Sequence, residues 1–400
     1  MKLLVVLSRV PYPLEKGDKL RAYHLVTRLA KKHEVYLFCL SDQRIAEEHL
    51  DHLRLSCAHI EVVYIQRWRI LTRLATAAFS RLPYQVAYFY HGHAQRAIDR
   101  AIDRFKPDHA FCQLVRTTEY VRERYDLLKT LDYMDTLSKG MERRTENASF
   151  WSRPLLKAET RRLIAYENLM LDLFDRHAII SAQDRDLLYH PLRDQVAVIP
   201  NGVDTEYFQP CAGERTHDLL FTGNMNYPPN IDSVLFLVQK VLPLVRRERP
   251  NTTLLVSGVD PSSHVRDLAR HDPQVTVSGW VKDIRDAYAS ATVFAAPMQI
   301  GTGLQNKLLE AMAMRMPCVT SAMANNAVGA VAGESILIGR DPQEYAMHIL
   351  RLLEDVSERE RIAANGYRFV RETFDWSRNA AMLDALIASA HITPAPVAAV

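Results

Sequence analysis

Short runs of Val, Ile, Leu, Phe and Tyr alternate along this chain with longer stretches of helical period, the pattern of parallel strands joined by crossover helices. In the first half the runs predict strands at Lys2 to Ser8, Glu34 to Leu40, Ile60 to Gln66, His109 to Gln113, Lys129 to Tyr133 and His177 to Ser181. A fresh series begins at Asp218 and predicts Leu219 to Thr222, Thr253 to Ser257, Val275 to Ser278, Val293 to Ala296, Cys318 to Thr320 and Ser335 to Ile338. Between them, Val196 to Asp204 reads as a last strand running into the turn formers Pro200, Asn201 and Gly202. The fold expected is α/β, with two doubly wound, Rossmann-like domains facing across a cleft. Residues 1–205 form the first domain and 206–375 the second, with a hinge near Phe208 to Thr216. Residues 376–400 form a helix packing back on the first domain, with a frayed tail from Thr393 to Val400. In such sheets ligands bind at the carboxyl ends of the strands, so the loops after strands are where chemistry is sought.

Composition narrows the class. At roughly 150 residues per domain, 400 residues make a multidomain chain. With 48% apolar and 24% charged residues it is a folded globular protein, neither disordered nor collagen-like. Lys plus Arg (50) against Asp plus Glu (47) leaves +3, too small a bias to make nucleic acid the default partner. The cysteines Cys39, Cys57, Cys112, Cys211 and Cys318 are odd in number and far apart, which points to reduced core thiols in the cytosol. The apolar run Leu3 to Leu7 is too short for a signal segment, and no uncharged stretch approaches the ~18 residues of a bilayer span.

The first strand-end loop, "RVPYPLEKGDKLRAYHLVTRLA", holds Gly17, where a tight turn or close backbone approach is possible, then a helix from about Asp18 with Arg21 one turn in. An ordinary strand-to-helix loop with Asp18 as N-cap explains it equally well. A stronger signal is "APMQIGTGLQNKLLEAMAMRMPCVTS". Here a strand ends at Pro297, Gly301 and Gly303 allow the backbone to bend to a phosphate, and a helix starts near Leu304. Lys307 adds a positive charge, and Glu310 lies on the same helix face, placed to accept hydrogen bonds from a ribose. An i,i+3 ion pair is the plain alternative for these two residues, but Glu310 sits among Leu308, Leu309, Ala311 and Met312, where a carboxylate without a purpose is costly.

Four segments, the Gly17 loop, "VIPNGVDTEYF", "LLFTGNMNYPPNIDSVLFL" and the stretch Val277 to Ser321, resemble glycosyltransferase family 4, the retaining sugar-nucleotide enzymes of GT-B fold. The "NKLLEAMAM" form is similar to a bacterial subgroup tied to exopolysaccharide and exosortase-associated loci. The resemblance implies an N-terminal acceptor-binding domain and a C-terminal nucleotide-sugar-binding domain, with a UDP- or GDP-linked donor, no metal and no other cofactor. It implies that Glu310 holds the donor ribose while Gly303, Leu304, Gln305 and Asn306 meet the diphosphate and sugar. It also implies that Val281 and Lys282 read the base. Two departures stand out. Thr302 occupies the place of the first glutamate of the family's Glu-x7-Glu motif. Asn224, Met225, Asn226 and Tyr227 follow Gly223 where the family often has an Arg and then a Lys, leaving Lys307 to supply the charge.

In the first half, Asp132 and Asp135 follow a strand end. Asp135 is read either as orienting or deprotonating an acceptor hydroxyl, or as capping the next helix. Gln113 and Arg116 stand where an acceptor or phosphate is met, with Gly17, Asp18 and Arg21, whereas His24 and His109 read as structural. From Val62 to Ile98 there is no Asp or Glu, but Arg67, Trp68, Arg69, Arg73, Arg81 and Arg96 occur among several Tyr and Phe. That interleaving suits an anionic membrane surface on the inner face of the plasma membrane, or a solvated cationic face beside core aromatics. The reaction expected is transfer of a sugar from a nucleoside diphosphate to a glycan or lipid-linked acceptor, with Lys307, Glu310 and Asp135 as the catalytic candidates. A non-catalytic nucleotide-sugar or glycan-binding protein and a sugar-nucleotide epimerase are the alternatives. A nicotinamide dehydrogenase is disfavoured because Lys2 to Gly17 lacks a compact Gly-x-Gly-x-x-Gly.

Overall fold

The computed structural model describes residues 1–14, 16–146, 148–211, 213–300 and 304–389. The chain divides into two units, Met1–Asn201 with Trp376–Val400, and Gly202–Asp375. The Phe208 to Thr216 stretch therefore lies inside the second unit, and the chain passes between units at Asn201 and again at Asp375.

The first unit is built on strands β1 (Lys2–Leu7), β2 (Glu34–Ser41), β3 (His59–Tyr64), β4 (His109–Gln113), β5 (Leu128–Asp132), β6 (Arg176–Ile179) and β7 (Ala197–Val198). All pair in parallel, in the order β3-β2-β1-β4-β5-β6-β7. Strand β1 is buried from Leu3 to Leu7 because helices cover both faces, so its sequence is a continuous apolar run rather than an alternating one. The helix Trp376–Ala388 supplies part of one cover: Trp376, Ala380, Leu383 and Ile387 join the core that holds Leu3, Val5 and Leu25. Trp376 stacks on His24 of the Gly17–Leu29 helix with ring centroids 4.9 Å apart.

The second unit repeats the plan with β8 (His217–Thr222), β9 (Leu254–Ser257), β10 (Val275–Gly279), β11 (Ala291–Ala296), β12 (Cys318–Thr320) and β13 (Leu337–Ile338). Their parallel order is β10-β9-β8-β11-β12-β13. In each sheet the winding reverses beside the first strand, between β1 and β4 and between β8 and β11, which opens a crevice at the carboxyl ends.

One charged pair lies wholly inside the first unit. Arg21 and Asp132 side chains are 0% exposed. The guanidinium donates from Nε to Asp132 Oδ2 at 2.6 Å and from Nη2 to Oδ1 at 3.1 Å. Its Nη1 donates to Asn201 Oδ1 at 3.1 Å. Arg21, expected to meet a phosphate, is thus committed to fastening the first helix to the end of β5 and to the last residue before the second unit. The two histidines read as structural have structural partners: His24 stacks as described, and His109 Nε2 lies 2.7 Å from Thr130 Oγ1. Burial pushes the His109 imidazole down to about 3. Cys39, Cys57, Cys112 and Cys318 are buried free thiols, and Cys211 is exposed.

Removing one partner of a fully buried bidentate pair leaves an uncompensated charge. Asp132→Ala is expected to destabilise the protein by about 3–5 kcal/mol in urea unfolding, and the double change Arg21→Met with Asp132→Leu to recover most of that loss.

Candidate functional site

The second unit gathers charge at its sheet reversal. The helix Asn306–Ala313, which follows β11, turns Leu308, Leu309, Ala311, Met312 and Ala313 into the core. Its other face carries Lys307 and Glu310, both half-buried. The Lys307 ammonium donates to Asn230 Oδ1, lies 3.7 Å from Met298 Sδ and sits 4.9 Å from the centre of the Phe221 ring. Among the described residues it forms no ion pair with a carboxylate. Burial brings its pKa down to about 8, with Glu310 acting the other way. At neutral pH it is therefore still cationic, with donor capacity beyond its bond to Asn230.

Glu310 is held by a different set. Tyr288 donates to its Oε2 at 2.8 Å, and the same phenol lies 2.9 Å from Thr222 Oγ1 at the end of β8. Burial raises the Glu310 carboxyl, opposed by the Tyr288 hydrogen bond and by Lys307.

Two glycines bring the strand-end loops together. Gly223, directly after β8, has φ of +151°, and a Cβ there would lie 2.6 Å from Asn230 Nδ2. Gly258, after β9, has φ of +148°, and its Cβ would lie 1.7 Å from the Gly223 carbonyl oxygen. The next carbonyl, that of Asn224, accepts from Asn230 Nδ2 at 2.9 Å, so Asn230 joins the Gly223–Asn224 loop to Lys307. The β10 loop is tied in through the Gly258 amide, which donates to the Gly279 carbonyl at 3.0 Å. Val281 there is half-buried and Lys282 exposed.

Of the donor-side residues expected from sequence, Gly223, Asn224, Lys307 and Glu310 belong to this one network. Leu304 and Gln305 lead into the same helix, which Asn306 begins, and Val281 and Lys282 follow the end of β10, two strands from β8. Thr302 and Gly303 lie outside the described residues. Asn230, Tyr288, Thr222 and Gly258 were not singled out from sequence. Only the Gly258 signal, a glycine directly after a strand, was available there; the others are ordinary core-facing positions until the fold places them. Among the described residues no group of three or more His, Cys, Asp or Glu is arranged to hold a metal ion.

The first unit has its own strand-end cluster, beside the β1–β4 reversal. Arg9 pairs with Asp18, and Gln113 Nε2 donates to the Asp18 carbonyl at 3.2 Å. Asp18 is the second residue of its helix rather than the N-cap, which is Lys16. Gly17 is not left-handed, and a Cβ there would meet nothing within 4 Å, so neither turn geometry nor packing requires glycine. Arg116 is half-buried; its Nε donates to Gln85 Oε1 at 3.0 Å, and its cation lies 5.7 Å from the Phe89 ring centre. Burial and neighbouring Arg9 lower its pKa. The Asp135 residue is exposed, with Asp184 and Arg116 close enough to act on its charge. Crowding and Asp184 push its carboxyl up to about 6, with Arg116 opposing. It is not seen capping the Leu137–Glu146 helix: the Ser138 amide donates to buried Glu167 at 3.0 Å.

Comparison with known proteins bears on both units. Residues 216–355 match the family described as glycosyl transferases group 1. The chain is 23% identical over 394 residues to a 44.6 kDa protein in the cps region of Klebsiella pneumoniae, covering 94% of this chain and 96% of that one. Over 267 residues it is 27% identical to the MMP α-(1→4)-mannosyltransferase of Mycolicibacterium hassiacum, the alignment spanning 64% of each. The structure of Anabaena HepE in complex with UDP is similar at a TM-score of 0.67 and 13% identity, covering 96% of this chain and 98% of that one. The chain has two parallel-sheet Rossmann-like units of the GT-B class. The family match falls within its second unit.

The Lys307 shift has a stability consequence with a definite sign. Between about pH 8 and the ordinary lysine value of 10.5 the unfolded chain holds more protons at this position than the folded one, so stability gains as pH rises through that window. Urea unfolding of the native chain and of Lys307→Met between pH 7 and 10.5 is expected to show the native chain closing its deficit against the variant as pH rises. A constant difference would contradict the burial of a charged Lys307.

Proposed function

We propose that this protein is a glycosyltransferase of family 4 type that moves a sugar from a nucleoside diphosphate donor, UDP- or GDP-linked, to a glycan or lipid-linked acceptor, with retention of anomeric configuration, in cell-surface polysaccharide synthesis. The observation that carries the reading is Lys307: a cation without a carboxylate partner among the described residues, held at the reversal of a doubly wound sheet beside the Gly223–Asn224 loop. The HepE neighbour in complex with UDP and the mannosyltransferase relative favour the same reading, and the relative from a cps region favours polysaccharide synthesis.

In this reading negative charge grows on the diphosphate as the glycosidic bond breaks. Lys307 Nζ, cationic below about pH 8, neutralises it together with amides of the Leu304–Asn306 turn, and a donor of this kind in a partly dry site acts strongly. Glu310, steadied by Tyr288, takes the ribose hydroxyls. Val281 and Lys282 lie along the strand ends where the base would extend. Asp135, Gln113, Arg116 and Asp18 of the first unit are assigned to the acceptor, Asp135 as the group that orients or deprotonates its hydroxyl.

Calorimetric titration with UDP, GDP and their sugar conjugates tests the donor assignment. One nucleotide family is expected to bind, and the Kd to weaken by about tenfold between pH 7 and 9 as Lys307 loses its proton. Lys307→Met is expected to fold at least as stably as the native chain, because an unpaired buried cation is removed, while losing donor turnover by well over tenfold. Glu310→Gln is expected to act mainly on donor affinity. Unchanged kinetics in both variants would contradict the site. Nucleotide binding with no sugar released to any acceptor or to water would instead favour a binding protein, the reading that Thr302 in place of a glutamate leaves open.

A further inference from the structure

The basic, acid-free segment from Val62 to Ile98 is not absorbed by the donor or acceptor assignments, and its structure is unusual for a surface helix. The helix Arg67–Ala77 turns Ile70 and Ala77 inward. Its outward face carries an apolar stripe beside exposed Thr72 and Thr76: Trp68 is 59% and Leu71 68% exposed, Ala75 continues the stripe, and Phe79 just beyond the helix is 96% exposed. Single exposed apolar residues are ordinary, but a stripe repeating every three to four residues on an 11-residue helix presents a continuous apolar edge to water.

The helix is firmly seated. Arg162 donates from Nη1 and Nη2 to the carbonyls of Ala77 and Ala78 at 3.0 and 3.1 Å, fastening its end to the Arg153–Leu173 helix. Leu74 lines the same cavity as Leu155 and Leu156 of that helix. The start of the second helix adds Phe150, Trp151 and Leu155, exposed at 81%, 89% and 56%.

Charge lies behind this edge. A cavity of about 610 Å³ beneath the helix is lined by Arg73, Arg81, Arg122 and Arg162, with Glu119 as its carboxylate, already paired with Arg122. Arg67 and Arg81 are exposed at the two ends of the stripe. Exposed aromatic and aliphatic side chains therefore stand next to exposed and cavity-lining guanidiniums. An anionic bilayer offers the matching pair, acyl chains with phosphates above them. A protein partner would have to bring both an apolar groove and its own dense acidic rim to satisfy the same surface.

We propose that the Arg67–Phe79 edge of the first unit docks in the plane of an anionic membrane, with Trp68, Leu71 and Phe79 inserted at the headgroup boundary and the arginine-lined cavity taking lipid phosphate. No helix among the described residues is long and apolar enough to cross a membrane, so this is attachment at the interface. The proposal goes beyond the glycosyltransferase reading and does not depend on it.

Vesicle flotation of the full chain tests it. The native protein is expected to float with phosphatidylcholine vesicles containing phosphatidylglycerol, to stay behind with phosphatidylcholine alone, and to be released by salt. Leu71→Ser with Phe79→Ser, and separately Arg67→Gln with Arg81→Gln, are expected to weaken partitioning by at least tenfold, at roughly fivefold per arginine for the charge pair. Urea unfolding of each double variant, matching the native chain, excludes loss of fold, and an unchanged nucleotide titration separates this result from the donor site. No flotation with anionic vesicles, or equal flotation of native protein and variants, overturns the proposal. So does a native dimer in gel filtration that Leu71→Ser with Phe79→Ser converts to monomer, since a second copy would then cover the face.

Discussion

The second unit is organised around the desolvation of a lysine. A helix that buries Leu308, Leu309 and Met312 must carry its polar positions on the remaining face, and at Lys307 that face lies against Phe221, Met298 and Asn230. A neutral amide, a thioether and an aromatic ring partly offset the lost hydration of an ammonium, but they leave its charge uncompensated. The surrounding geometry follows from this placement. Asn230 must reach both the lysine and the Asn224 carbonyl, Gly223 must have no side chain where Asn230 stands, and Gly258 must have none where the Gly223 carbonyl stands. Glu310, one turn on, is held by Tyr288, whose phenol is anchored to Thr222 on the neighbouring strand.

Arg21 and Asp132 show what a charge looks like when it is used for structure alone. Both are wholly buried, they pair through two hydrogen bonds, and a third guanidinium N–H is taken by Asn201. With 0% exposure, neither group is open to a ligand. Lys307 differs on each count: it is half-buried, bonded to a neutral partner, and shifted toward its neutral form. Charge left unmatched at a strand-end crevice marks a site more clearly than charge as such.

The same contrast explains what could be read in the sequence. Strands covered on both faces are continuous apolar runs, so β1 and β2 were legible to within one residue and β8 and β11 to within two, and the Gly-rich sequence before Lys307 announced a helix start. Glu310 was legible because its flanking residues are core residues. Arg21 was not, since a basic residue one turn into a helix after a glycine loop looks alike whether it faces a phosphate or a buried aspartate 111 positions away. Asp135 followed by a helix suggested a cap, yet the cap is Glu167, contributed by a helix of its own. Asn230 and Tyr288 reach the network across 77 and 22 positions, and only the sheet order brings them there.

Hydrogen–deuterium exchange of the full chain with and without saturating nucleoside diphosphate tests the central claim most directly. If the unmatched lysine marks the donor site, protection is expected in peptides covering Gly223 to Asn230 and Leu304 to Ala313, and is expected to vanish in Lys307→Met. Protection confined to the Arg9, Gln113 and Arg116 loops of the first unit, or undiminished protection in the variant, would contradict the account.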